Sequence, residues 1–209
     1  MKRLWGSILC AAVLAVLQGC SVDDDDRGSD VPSYVTDLIE LHSDHEGVLY
    51  KASLDNGESY DVQSSQLRAE VTDTTYRCLA TYTLDGGKMK LYGLKSVFSQ
   101  RPLTIKELLT ADDGTVVPDT LPRDPVKVVS LWNSGGYVNM QLGILTTGGL
   151  HAYAFCQDGP GHYSLVHLRQ AGDAESYTEK VYLSMPIPDG VEHFSFSIYT
   201  YDGVYTREF

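Results

Sequence analysis

The sequence predicts an all-β protein, a small barrel over residues 33–111 followed by a β-sandwich over residues 126–209. Three observations carry this. Apolar runs are short and alternate with polar residues, the signature of half-buried strands. Gly-bearing turn signals recur between them, including Asp55-Asn56-Gly57 and Asp85-Gly86-Gly87. The stretch Asp112–Pro125, with Gly114 and prolines 118, 122 and 125, divides the two halves as a linker. No internal repeat and no heptad pattern competes with this reading.

The chain does not begin with either domain. Lys2 and Arg3 form a short basic segment, and Leu4–Leu17 is an apolar run broken only by Gly6 and Ser7. A bilayer-spanning helix needs about 20 apolar residues, so this run is too short to span and fits a secretory signal over residues 1–19. Its end, Leu17-Gln18-Gly19-Cys20, resembles the bacterial lipobox, with Gln18 larger than the residue usual at that position. The resemblance implies that Cys20 becomes the diacylated first residue of the mature chain. Acyl chains anchor through burial of methylenes worth about 0.8 kcal/mol each.

Residues 20–32 read as an acidic flexible tether, because four successive aspartates repel one another and stay solvated. Ser21 followed by Asp23, Asp24, Asp25 and Asp26 also resembles the export signal of Bacteroides-type lipoproteins. That resemblance implies an outer-membrane lipoprotein, lipid-anchored and exposed at the cell surface.

Charge narrows the partners. The chain has 16 basic and 28 acidic residues, a formal charge of −12. Without residues 1–19, which hold Lys2 and Arg3, the balance is 14 against 28, or −14. Such a surface repels phosphate backbones, so nucleic acid is excluded as a partner. The expected partners are the membrane, through the N-terminal lipid, and a protein or a glycan.

In the first half, strands are expected at Ser33–Leu41, Gly47–Leu54, Ser59–Gln63, Tyr76–Leu84 and Lys88–Val97. Asn-Gly and Gly-Gly tolerate positive φ at both central turn positions, so the second and third strands form one hairpin and the last two form another. Thr104-x-x-Glu107 ahead of Leu108 and Leu109 spells either a capping box opening a short helix or a strand with an irregular end. The second half offers strands at Val126–Trp132, Tyr137–Leu145, Gly149–Cys156, His162–Leu168, Glu179–Met185 and Val191–Tyr201, about the number that a sandwich uses.

Asp124-Pro125, Leu131-Trp132, Gly135-Gly136-Tyr137-Val138-Asn139-Met140 and His162-Tyr163-Ser164-Leu165-Val166 resemble the second half of NigD-like lipoproteins. The layout of lipobox, acidic tether, barrel and sandwich agrees with that family across nearly the whole mature chain. The resemblance implies an OB-like barrel and an immunoglobulin-like sandwich. It also implies a non-enzymatic binding or interaction module, for which the family's name suggests bacteriocin immunity. It supplies no catalytic motif.

Nothing in the residues contradicts that. No Gly-x-Ser-x-Gly elbow and no phosphate-cradling loop is present, and no cofactor is expected. His42-Ser43-Asp44-His45-Glu46 is the densest group of metal-ligating types, but it reads as a polar loop between two strands and no metal site is assigned. His162 and His167 are an odd number apart, so on one strand they face opposite sides. His162 reads as a hydrogen-bonding residue beside the core. Cys78 and Cys156 are the cysteines left after the signal and the lipid site; both sit in expected interior strands, where a disulfide and two buried free thiols are alternatives.

One surface feature stands out among the 14 tyrosines. On the strand Val191–Tyr201, Phe194, Phe196 and Ile198 share one face, the core. His193, Ser195, Ser197, Tyr199 and Tyr201 share the other. His193, Tyr199 and Tyr201 are thus the candidate binding residues, suited to a protein surface or to stacking on sugar. A glycan-binding accessory lipoprotein is the alternative function.

Overall fold

The computed structural model describes residues 33–63, 67–110 and 121–209. The signal, Cys20, the acidic export segment, residue 111 and residues 112–120 of the linker lie outside them. The chain forms two compact units, the first ending at Ser96 and the second running Val97–Phe209.

The first unit is a closed five-stranded barrel, β1 (Val35–Ser43), β2 (Leu49–Leu54), β3 (Ser59–Val62), β4 (Thr75–Asp85) and β5 (Lys88–Ser96), in the closed order β1-β2-β3-β5-β4. That order, with β3 and β5 parallel and the other pairs antiparallel, makes it OB-like. Alternation sends Ile39, Leu41, Leu49, Ala52, Cys78, Ala80, Tyr82, Met89 and Leu91 inward. A bulge, with Thr81 opposite Gly93 and Tyr82 opposite Leu91, leaves Tyr92 as the extra residue. Such bulges sharpen local twist, which barrel closure requires. Tyr92 is turned to the surface, where Tyr34 meets it edge-on with centroids 4.8 Å apart.

The two hairpin turns solve the same problem differently. Gly86 (φ 55°) and Gly87 (φ 76°) both take the left-handed region between paired Asp85 and Lys88, as a type I′ turn demands. At Asp55-Asn56-Gly57 only Gly57 is left-handed, and its N–H reaches the Leu54 carbonyl at 3.0 Å. This is a three-residue loop, because the Asn56 side chain is used otherwise: its Oδ1 accepts from Glu58 N at 2.9 Å.

The second unit holds β6 (Phe98–Ser99), β7 (Leu103–Thr104), α1 (Ile105–Leu109), β8 (Lys127–Ser134), β9 (Tyr137–Thr146), β10 (His151–Gly159), β11 (His162–Arg169), β12 (Tyr177–Pro186), β13 (Ser195–Thr200) and β14 (Gly203–Glu208). They form two open sheets, ordered β14-β13-β11-β10-β7 and β6-β12-β9-β8. One core joins them. Leu131, Val138, Met140, Leu142, Ile144, Leu183 and Met185 come from the four-stranded sheet, and Phe155, Tyr163, Leu165, Phe196 and Ile198 from the five-stranded one.

Residues 97–110, which the sequence reading placed with the barrel, hydrogen-bond into this second unit. Phe98 pairs with Leu183 and Leu103 with Cys156, both in parallel. Pairs this short leave no periodicity to read. The helix alternative at Thr104 is the one realised: Thr104 Oγ1 accepts from Glu107 N and Glu107 Oε2 accepts from Thr104 N, the reciprocal capping box.

Leu121–Pro125, read from the sequence as linker, is also built in. β11 and β13 pair only from His162–Ser164 to Ser195–Ser197. Beyond that, the segment comes between them, with Arg123 bridging His167 and Val126 bridging Thr200. Leu121 and Leu108 then cover Ala154, Cys156 and Val166 on the outer face of this sheet. The strand expected to end at Tyr201 turns there and returns as β14, so Tyr205 belongs to a strand and Phe209 stacks on Phe194 at 5.1 Å.

Candidate functional site

The three candidate binding residues lie along β13 and its flanks. His193 is in a bend ahead of the strand and is exposed. Tyr199 is near the strand's far end, and Tyr201 is in the two-residue turn to β14, 42% exposed. Six strand residues span about 20 Å, so His193 does not converge with the tyrosines. Ser195, expected on the exposed face, is buried, because His162 covers it: Nδ1 of His162 is 2.7 Å from Ser195 Oγ. His162 thus takes the structural role expected of it.

Tyr199 does not present a free ring. The Arg123 guanidinium carbon sits 4.5 Å over its centroid, and an Arg123 N–H bonds its hydroxyl. Tyr201 is more open. It stands beside Glu175 and Arg169, which are themselves paired at 2.8 Å. Burial and the Glu175 charge push the Tyr201 phenol up.

Behind these residues is a polar network that the sequence reading missed. Nδ1 of His151 is 2.9 Å from Nε2 of His167, and Nδ1 of His167 is 2.9 Å from the Asp124 carbonyl. The carbonyl only accepts, so His167 carries its proton on Nδ1 and, when neutral, accepts through Nε2. Burial lowers the His167 pKa, keeping it neutral. Tyr153 lies parallel to His167, with centroids 5.2 Å apart and planes 8° apart.

At the other end, His151 Nε2 is 3.1 Å from Asp173 Oδ2, close but out of line for a hydrogen bond. Asp173 accepts from Thr146 Oγ1 (2.7 Å), Thr147 Oγ1 (2.6 Å), Thr147 N (2.8 Å) and Gly149 N (3.2 Å). These donors hold its carboxyl far below the usual range. On the third side, Asp124 Oδ2 accepts from Arg169 N at 2.7 Å, and Asp124 N donates to the His167 carbonyl at 3.0 Å. The network ends in backbone and structural side chains. It therefore clamps segment 121–126 to β11. Thr146-Thr147-Gly148-Gly149 had been legible as a turn, but its partner lies 24 to 27 residues on, beyond the reach of local pattern.

In the barrel, a cleft of about 360 Å³ is lined by His42, Ser43, Asp44, Tyr50, Asp73, Thr74 and Thr75. Asp44 shapes its own turn there, with Oδ1 accepting from Glu46 N and Val48 N, and these bonds lower its pKa. His42 is held by Thr75 Oγ1 at 3.0 Å, while His45 and Glu46 are exposed. Among the described residues, no group of three or more His, Cys, Asp or Glu is placed to hold a metal ion. Cys78 and Cys156 are both buried free thiols. No described helix is long and apolar enough to cross a membrane.

The class defined so far is an all-β chain with an OB-like barrel and a two-sheet second unit whose polar groups serve structure. Solved structures of this class exist. The chain is similar to a NigD-like immunity protein from Bacteroides caccae, at 27% identity and a TM-score of 0.64, covering 87% of this chain and 94% of that one. It also shares its fold with a toxin-related protein from Parabacteroides distasonis (14% identity, TM-score 0.66, 85% and 92% covered). A third likeness is to a Bacteroides vulgatus protein of unknown function (15%, 0.58, 84% and 90%). No family model and no curated protein matches the chain.

Proposed function

We propose that this chain is a NigD-like lipoprotein, anchored by acyl chains on Cys20 and displayed on the outer membrane as a non-enzymatic interaction module. The observation that carries the reading is the likeness to the Bacteroides caccae immunity protein across most of both chains. The lipobox and the Ser21–Asp26 segment support the anchor and the export. Within this reading, residues 1–19 are cleaved, residues 20–32 are the tether, and the second unit is an immunoglobulin-like sandwich, supported by the core that its two sheets share. Bacteriocin immunity is one version of the function. Labelled palmitate is expected on the mature protein, and Cys20→Ala is expected to release it from membranes. Protease added to intact cells is expected to digest it. Absence of label, or a Cys20→Ala variant that stays with membranes, overturns the anchor. Deletion that leaves toxin sensitivity unchanged removes the immunity version.

A glycan-binding accessory lipoprotein is the second reading. It rests on Tyr201, exposed beside Glu175 and Arg169, since Arg123 already occupies the face of Tyr199. Silence on a glycan array, or binding unaltered by Tyr199→Ala and Tyr201→Ala, rejects it.

A further inference from the structure

Among the described residues, the two sheets of the second unit have four edge strands, and three of them are blunted. β6 and β7 are two residues each. β8 is broken by a bulge between Val128 and Ser130, and its Leu131 carbonyl accepts from Arg207. Natural sheets protect edges by such means, because an open row of backbone donors and acceptors is a template for another strand.

β14 is neither cut short nor bulged. All six of its residues are exposed, and its register with β13 runs unbroken from Ser195–Glu208 to Thr200–Gly203. It contains no proline, no lysine and no bulge. Phe194 and Phe209 exchange both backbone hydrogen bonds, at 3.2 and 2.9 Å, which sets the phase of the ladder. Counting back in twos, Phe196–Arg207, Ile198–Tyr205 and Thr200–Gly203 are the hydrogen-bonding pairs. The N–H and C=O of Val204, Thr206 and Glu208 therefore point away from β13, toward the open edge.

The side chains of that row share the sheet's outer face with Tyr199, Ser197 and Ser195. Glu208 is its charged member. Arg207, on the opposite face, is turned back onto Leu131 and onto the Phe209 ring, 5.1 Å away.

We infer that β14 is a docking strand, which takes an extended segment of a partner protein by strand addition at Val204, Thr206 and Glu208. The partner segment carries a Lys or Arg opposite Glu208. Main-chain pairing supplies affinity in this mode and side chains at alternate positions supply selectivity. The formal charge of −12 favours a basic segment and disfavours a second copy of this chain. The inference rests on the interaction reading above and names its surface.

The test uses linear peptides selected on the full chain from a phage-displayed random library. Selected peptides are expected to be enriched in alternating β-branched and basic residues and to shift the amide signals of Val204, Thr206 and Glu208. Thr206→Pro removes an outward donor that β13 does not use, and edge strands tolerate proline there. It is expected to keep the native circular dichroism spectrum and to weaken peptide binding roughly tenfold or more, as losing one well-formed hydrogen bond and adding a steric block would. Val204→Pro repeats the measurement at a second outward donor. Glu208→Lys is expected to shift selection from basic to acidic peptides. Recovery of no peptide, or binding to both proline variants as tight as to the wild-type chain, overturns the docking strand. So does a homodimer that Thr206→Pro dissolves. Cross-linking on intact cells separates the two ideas: a partner retained by Thr206→Pro leaves the interaction module standing without this edge, whereas no partner for the wild-type chain sinks the module itself.

Discussion

His151 Nδ1 lies 2.9 Å from His167 Nε2, with the two ring planes 17° apart, in a site where the His167 residue is 2% exposed. A direct bond between two imidazoles needs one to donate and the other to accept. The Asp124 carbonyl settles which is which, since it obliges His167 to donate through Nδ1 and leaves its Nε2 as the acceptor. Burial is the largest influence on His167 and favours its neutral form; the neighbouring His151 and Arg169 act in the same direction, and Asp124 acts against them.

A pH dependence follows from that depression. The stabilising contribution of neutral His167 is fully present above the ordinary imidazole value of about 6.5 and is lost as pH falls through the lowered folded value. Protonation converts Nε2 from acceptor to donor and sets it against the His151 proton. Urea midpoints of the wild-type chain are expected to fall on acidification below about pH 6.5. His167→Gln is expected to be less stable by about 1–3 kcal/mol at neutral pH, the cost of a disrupted buried hydrogen bond, and to show a shallower acid slope. A slope unchanged in the variant rejects this role.

Asp173 gives a separate result because it titrates elsewhere. Its carboxylate is stabilised by hydroxyl and amide donors, so its contribution is present above the ordinary aspartate value and is lost only in strong acid. Asp173→Asn is expected to lower the melting temperature throughout the neutral range. Gly149→Ala reports on the same packing without touching charge, since an added Cβ meets Asp173 Cβ and Cγ at 2.6 Å. It is expected to cost about 1–3 kcal/mol, the range for overpacking, in thermal or urea melts. A neutral effect means that the loop 146–149 is not seated on Asp173.

These two sites show where sequence reading reaches and where it stops. The barrel strands were legible because each is long enough to alternate and is closed by a Gly-bearing turn, as at Gly86 and Gly87. The capping box at Thr104 and Glu107 was legible because both partners are three residues apart. β6 and β7 were not, since two-residue strands have no period. β14 was hidden because its exposed Val204 and Tyr205 look like a tail until Phe209 is seen returning to Phe194. His193, Tyr199 and Tyr201 were grouped by strand alternation. The bend before Ser195 and the turn at Tyr201 break that alternation at both ends. Asp124, Asp173 and His151 meet only through tertiary folding, and composition carries no trace of it.

In the barrel, Arg77 and Asp55 form a bidentate pair at 2.6 and 2.8 Å, with the Arg77 side chain 2% exposed. Truncating one partner of a buried ion pair is far more harmful than the pair is worth, because the other charge stays behind. Asp55→Ala is expected to destabilise the protein by about 3–5 kcal/mol. Replacing Arg77 by Met in the same background is expected to recover part of that loss. Equal destabilisation of the single and double variants, measured by urea unfolding, rejects the explanation.

The two cysteines provide a probe of both units. Burial pushes the Cys78 thiol up to about 12 and the Cys156 thiol up to about 11, so almost no thiolate exists at neutral pH. The thiolate is the reactive species, and both sulfurs are enclosed by apolar neighbours, Cys78 in the barrel core and Cys156 beneath Leu108 and Leu121. Native protein is expected to resist a thiol reagent at pH 7–8 and to release two equivalents once unfolded, counting only these thiols. Replacing Leu121 by Ala thins the cover over Cys156 alone, so the variant is expected to label faster at Cys156 while Cys78 stays protected. Rapid labelling of both cysteines in the native wild-type chain shows that the cores as described are open.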